Sequence, residues 1–137
     1  MYINNEIGNI LDIKSVSDLC QKYNSLFHTD AVQAVGHYKI DLKSIKIDFL
    51  SSAGHKFHGP KGVGFTYINK LTKIKSFICG GPQERGLRAG TESVHNIVGM
   101  TKALEIADRN MEQEAKYVLS IKEYMIKSLR KLFPDIH

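Results

Sequence analysis

Apolar and polar positions follow two rhythms along this chain. Val16, Leu19, Cys20 and Tyr23 recur at the three- and four-residue spacing of a helical face. Asp12 or Ser15 can cap such a helix, which then runs to about Asn24. Three short segments have strand length: Ser25–Thr29, ending at Asp30, then Ile47–Ser51, then Val63–Ile68. Ala31–Gly36 fits a helical turn and His37–Lys46 a connection. Gly54, Gly59, Pro60, Gly62 and Gly64 crowd the loop before the third strand, and a second glycine-rich loop covers Gly80–Gly90.

From about Glu92 the period is helical throughout. Val94, Ile97, Val98, Thr101, Leu104, Ala107, Met111, Ala115, Val118, Lys122, Met125, Leu129 and Leu132 carry it, and no proline intervenes before Pro134. Some forty residues of helix span roughly 60 Å, more than the width of a small domain. Such a helix is expected to pack on its domain at the start and project into a second domain at the end. Met1–Ile3 reads as the end of a strand, followed at once by the turn Asn4–Gly8, so the chain looks cut at both ends. Strands alternating with helical connections predict an α/β fold with a mainly parallel sheet.

Composition narrows the class. The 137 residues suit one domain, with 42% hydrophobic and 24% charged residues, which is globular rather than disordered. A core of that size needs no disulfide framework, so Cys20 and Cys79 point to a reducing compartment. No apolar run is long enough to cross a bilayer, and Met1–Glu6 lacks the pattern of a signal peptide. The expectation is a soluble cytoplasmic protein with no membrane partner. The formal net charge of +5 invites a nucleic-acid reading. Its distribution argues against one, because the lysines are scattered and no run of five or six like charges occurs. An anionic small molecule or cofactor accounts for the sign as well.

Two segments carry chemistry. In Ser51–Gly64 a strand runs into small residues, then a lysine beside a histidine, then a Gly-Pro turn. Small residues let backbone amides approach an anion, and a lysine at a strand mouth can serve as a nucleophilic amine. A surface turn with a solvated lysine fits the same spacing. His55 and His58 do not make a metal site, since no further ligands stand at suitable spacing, and Lys61-Gly62 fails the pattern of a Walker A loop. In His28–Gln33, Asp30 stands at a strand end with Gln33 three residues on. An acid there either caps a helix or faces a ligand, because open parallel sheets bind ligands outside the carboxyl ends of their strands. Asp30 and Lys56 fall at such ends on successive strands. A carboxylate and an amine converging on one crevice is what pyridoxal phosphate requires.

The segments Asn4–Gly8, His28–Gln33, Gly54–Gly62 and Gln83–Glu92, in this order and spacing, resemble the cysteine desulfurases of the class V aminotransferase family, most of all the NifS/IscS group. The resemblance implies a fold-type I pyridoxal-phosphate-dependent transferase. Residues 1–93 would be part of the cofactor-binding large domain, and 94–137 a long helix toward a missing small domain. It implies that Lys56 carries the cofactor as an imine and moves protons at the substrate α-carbon. His55 would contact the phosphate, Asp30 the pyridine nitrogen, and Gln33 and Asn5 the phenolic oxygen. Thr91 would reach the phosphate in the neighbouring subunit, which makes the family's homodimer part of the site. The implied reaction converts L-cysteine to L-alanine and passes sulfur, as a persulfide, to an acceptor such as an iron–sulfur scaffold or to thio-cofactor assembly.

This sequence departs from the family pattern at Ala53, where a serine or threonine usually gives the phosphate a hydroxyl; backbone amides, His55 or Ser51 are the candidates to compensate. The family's glycine-rich phosphate loop and stacking ring would precede Met1, and its sulfur-accepting cysteine and substrate-binding arginine would follow His137. These residues alone are therefore expected to be inactive. Cys79 does not match the sulfur acceptor and Cys20 reads as core. Arg85 and Arg88 suit a phosphate region or an ordinary salt bridge equally. A selenocysteine lyase or an aminotransferase of the same class, or an inert remnant that only binds or dimerises, stand as alternatives.

Overall fold

The computed structural model describes residues 1–135. Helix α1 spans Ile13–Lys22. Of the two caps the sequence offers, Asp12 takes the position. Its carboxylate accepts the Ser15 hydroxyl at 2.7 Å and the Ser15 N–H at 3.1 Å, which satisfies a free donor of the first turn. Those two bonds hold the Asp12 carboxyl below its usual range. The buried face keeps half of the expected one. Ile13 and Ser17 are buried with Val16 and Cys20 beside them, while Leu19 and Tyr23 are exposed. The Ser17 hydroxyl donates to the Lys46 carbonyl at 2.8 Å, so a small polar residue lies on the buried face beside Ile13.

Three strands form one sheet in chain order: β1 His28–Asp30, β2 Phe49–Ala53 and β3 Gly64–Ile68. β1 and β2 are parallel, with His28, Thr29 and Asp30 opposite Phe49, Leu50 and Ser51. β3 runs antiparallel to β2, with Ala53 opposite Gly64. The fold is thus α/β with a mixed sheet. Only residues 54–63 join β2 to β3, and a parallel return needs about a dozen residues or more, so the chain doubles back.

Side chains alternate across the sheet. One face carries His28, Asp30, Phe49, Ser51, Ala53 and Thr66. The other carries Thr29, Leu50, Ser52, Phe65 and Tyr67. Helix α2, Val94–Leu132, packs its first third against the 3-10 turn Gly54–Phe57, and a hollow of about 860 Å³ lined by Leu50, Phe65 and Tyr67 opens between this second face and the helix. Met100 and Ala107 are its buried residues, and beyond Met111 the helix stands mostly in solvent. At 1.5 Å per residue its 39 residues extend about 58 Å. The helix was expected to occupy 94–137; it ends at Leu132, before Pro134, and positions 136 and 137 lie outside the described residues. No helix among the described residues is long and apolar enough to cross a membrane.

The core gathers where the sheet, the turn after β1 and α2 meet. Ile47 and Phe57 are each 1% exposed, and Ala31, Ala34 and Met100 pack with them. Gly36 has a φ of +84°, and a Cβ there would lie 2.6 Å from Phe57 Cβ, so this position needs glycine both for its backbone and for the ring beside it. A buried carboxylate secures the other end of the strands. Asp48 is 7% exposed; its Oδ2 accepts the Phe27 N–H at 2.8 Å and its Oδ1 the Thr72 hydroxyl at 2.9 Å. Removing it strands a buried donor at the entrance to β1. Asp48→Ala is expected to lower stability by about 2–3 kcal/mol, read as a shifted urea midpoint with unchanged slope. An unchanged midpoint would show that water replaces the carboxylate without cost.

Candidate functional site

Because β1 and β2 run the same way, their carboxyl ends share one edge of the sheet. Asp30 is the last residue of β1, and Ala53, the last of β2, leads directly into the turn Gly54–Phe57 that bears His55 and Lys56. Two contacts join the segments following the strands. The Ala31 N–H donates to the Ser51 carbonyl at 2.9 Å, and His37 Nε2 lies 3.0 Å from the Lys56 carbonyl. With Gly36 against Phe57, this brings the turn holding Gln33 and the turn holding Lys56 to the same edge.

Asp30 is half-buried. Its Oδ1 accepts the Val32 N–H at 2.9 Å, an Asx turn that starts the helical turn after β1. Both readings of this acid are therefore compatible with the structure: one oxygen caps the turn, while Oδ2 has no hydrogen-bond partner among the described residues. Lys56 is also half-buried, and its amine makes no hydrogen bond or ion pair among the described residues. A carboxylate and an amine of opposite sign thus stand at one strand edge without pairing. Gln33 is half-buried in the same turn as Asp30, and His55 is exposed beside Lys56.

Asn5 arrives from a third segment. The Tyr2 N–H donates to the Asp30 carbonyl at 2.7 Å and sets the Asn4–Gly8 turn beside the end of β1. Asn4 holds that turn by accepting the N–H groups of Glu6 and Ile7 at 2.9 and 3.0 Å. Asn5 itself is exposed and donates to Glu6 Oε1 at 2.6 Å. Thr91 stands apart. It is exposed, two residues before the Ser93 cap of α2, and no hydrogen bond among the described residues joins it to the other five. Of the two arginines, Arg88 takes the salt bridge, with Glu84 at 3.2 Å, and donates to the Gly90 carbonyl at 2.7 Å. Arg85 occupies a left-handed backbone position, φ 58°, beside a groove of about 840 Å³ along β3. Cys20 is half-buried against the core and Cys79 is exposed.

Around Ala53 the polar groups divide between the faces. Ser51 shares the face of Asp30, whereas Ser52 points to the opposite face, where its buried hydroxyl has no partner among the described residues. One pair on the Asp30 face has no signal in the sequence: His28 Nε2 lies 3.0 Å from Ser51 Oγ. Only the register of the parallel strands reveals it. Chemically, the edge offers an anion, a free amine and neutral hydrogen-bonding groups to a ligand that is cationic at one end and electrophilic at another.

Comparison with known proteins bears on this arrangement. A family model described as aminotransferase class-V matches residues 1–136. A cysteine desulfurase IscS of Clostridium botulinum (strain Hall) is 48% identical over 136 residues, which are 99% of this chain and 34% of that protein. One from Methanosarcina thermophila is 47% identical over 137 residues, 100% of this chain and 34% of that protein. A solved NifS-like protein superposes with a TM-score of 0.92 at 42% identity, covering 97% of this chain and 37% of its own. The chain therefore spans about a third of the length of the relatives it matches.

Proposed function

The chain belongs to the aminotransferase class-V family, and on that premise we propose that it is the cofactor-holding part of a pyridoxal-phosphate-dependent cysteine desulfurase. The observation that carries the reading is the pair of unpaired opposite charges, Asp30 and Lys56, at the shared edge of β1 and β2. The names of the relatives, cysteine desulfurase IscS, support the choice of reaction.

The residues fit the cofactor. Asp30 keeps one carboxylate oxygen free of protein partners, and no ion pair among the described residues withdraws the Lys56 amine. Bound there, pyridoxal phosphate would supply an electrophilic aldehyde and a ring that accepts electrons from the bond broken at the substrate α-carbon. Asp30 would hold the proton on the ring nitrogen, since a carboxylate favours a neighbouring cation. Lys56 would bind the aldehyde carbon and, once displaced by the substrate amine, hold and return the proton of the α-carbon. Gln33 and Asn5 would donate to the ring oxygen, with Asn5 first releasing Glu6. His55 would orient the phosphate. Thr91, exposed and remote from the other groups in hydrogen bonding, suits a phosphate held by a second copy of the chain, so the assembly proposed is a homodimer.

The full reaction proposed is L-cysteine to L-alanine, with the substrate sulfur taken up by a cysteine thiol of the enzyme as a persulfide and handed on to an iron–sulfur scaffold or thio-cofactor acceptor in the cytoplasm. Full-length protein supplied with pyridoxal phosphate, L-cysteine and a thiol reductant should release sulfide and alanine in equal amounts. Formation of a keto acid from cysteine instead would assign an aminotransferase. A preference for selenocysteine would assign a lyase, and neither product would leave a binding module. The 137 residues alone are expected to release no sulfide.

A further inference from the structure

The 3-10 turn that carries Lys56 ends at His58, a left-handed residue with a φ of 67°. The two N–H groups beyond the turn, those of His58 and Gly59, both donate to the Gly54 carbonyl. They are thereby drawn away from the Lys56 carbonyl, one of the acceptors that a helical end leaves without an internal partner. A side chain from the neighbouring segment takes it instead: His37 Nε2, 19 positions upstream, lies 3.0 Å away. The direction of this bond is fixed. A carbonyl oxygen has lone pairs and no hydrogen, so the ring nitrogen donates, whether the ring is neutral or an imidazolium.

The segment behind His37 leads back to Asp30 through consecutive bonds. Asp30 Oδ1 accepts the Val32 N–H at 2.9 Å. The Ala31 carbonyl accepts the N–H groups of Ala34 and Val35, each at 2.9 Å, and the Ala34 carbonyl accepts those of His37 and Tyr38 at 3.0 and 2.9 Å. Residues 30–38 are thus one hydrogen-bonded unit, with Asp30 and Gln33 toward its start and His37 toward its end. Gly36 within it meets Phe57. That contact is apolar and non-directional, so it holds the two turns together without fixing the rotation of the Lys56 peptide. The bond from His37 is directional and does.

We propose that His37 is a positioning residue: by donating to the Lys56 carbonyl it sets the orientation of the Lys56 peptide unit, and so aims the amine at a cofactor held by Asp30. This role rests on the reading of Asp30 and Lys56 given above. It assigns His37 no contact with cofactor or substrate; the residue acts only through the backbone of Lys56.

One neutral hydrogen bond corresponds to about threefold to tenfold in an equilibrium constant, and a misaimed reacting group loses rate on that scale or a larger one. In full-length protein, His37→Ala and His37→Phe are each expected to lower kcat for cysteine about tenfold, with KM changed by less than about twofold. Phenylalanine keeps the ring and removes the donor. His37→Gln, whose side-chain amide can place an N–H near the position of Nε2, should recover most of the turnover; a packing role would be kept by phenylalanine and lost with glutamine. His37 is exposed, so the urea midpoints of all three variants should stay close to that of the unsubstituted protein. In cofactor-free full-length protein, amide hydrogen exchange across residues 54–59 should quicken in the alanine and phenylalanine variants and return with glutamine. Turnover or exchange unchanged in the alanine and phenylalanine variants, turnover kept by phenylalanine, or no recovery with glutamine would overturn the role of His37 while leaving the assignment of Asp30 and Lys56 intact. Failure of the unsubstituted protein to fix pyridoxal phosphate on Lys56 would overturn both.

Discussion

Full-length protein carrying Lys56→Ala is expected to lose cysteine turnover by a factor of about 10³ or more, the scale associated with removing a positioned acid–base group. The loss should appear in kcat, because the substrate proton has no other amine within the same turn to receive it. Lys56 lies in a four-residue 3-10 turn anchored on both sides. Before it, Gly54 N–H donates to the Val63 carbonyl at 2.9 Å; after it, Phe57 fills the core. The amine is therefore presented by a rigid element rather than a loose loop. Lys61, exposed in the following Gly-Pro-Lys-Gly turn, serves as the comparison. Lys61→Ala should retain turnover, and equal losses in both variants would mean that positive charge in this region, not one amine, is what matters. Far-ultraviolet circular dichroism separates either result from unfolding.

The second large effect is structural and falls one residue away. Phe57→Ala should destabilise the fold by about 3–5 kcal/mol, the cost of emptying a fully buried aromatic site. Phe57 is 1% exposed, and its ring lies against Gly36 in the turn after β1. Gly36 cannot swing inward to fill the space, since its φ of +84° is set by the turn. Against a total stability of about 5–15 kcal/mol for a domain, such a loss consumes much of the margin. The expected measurement is a large drop in the denaturant midpoint, together with weakened cofactor binding, because the same ring holds the Lys56 turn against the Gln33 turn. A drop below about 1 kcal/mol would show that the two turns are held together by other contacts.

The parts of this fold that the sequence made legible are those set by local pattern. The long helix appears as expected from Val94 to Leu132 because its apolar period is sustained and uninterrupted. Asp30 and Lys56 lie at strand ends as their flanking residues suggested. Where long-range pairing decides, the sequence was silent or misleading. Ile47–Ser51 was expected as the second strand, but the ladder begins at Phe49 and ends at Ala53. Ile47 is apolar because it is buried, not because it pairs, and Asp48 spends its carboxylate on Phe27 and Thr72. The reversal of β3 follows from a connection length rather than from any residue in the strand. The His28–Ser51 contact spans 23 positions and exists only once the register of β1 on β2 is fixed. Val16 and Cys20 of α1's expected face do pack on the core, but Leu19 and Tyr23 lie outside it; the buried face is centred instead on Ile13 and Ser17, whose hydrogen bond to Lys46 hydrophobicity does not encode.

The central claim is that one amine, at position 56, and one carboxylate, at position 30, serve the same cofactor. It is tested most directly by treating full-length protein with pyridoxal phosphate and borohydride, then locating the fixed label by peptide mapping, with and without Asp30→Ala. The account predicts a single label on the peptide containing Lys56, markedly reduced when Asp30 is replaced. Label spread over exposed lysines such as Lys61 and Lys70 with Lys56 unmodified, or labelling of Lys56 indifferent to Asp30, would contradict it.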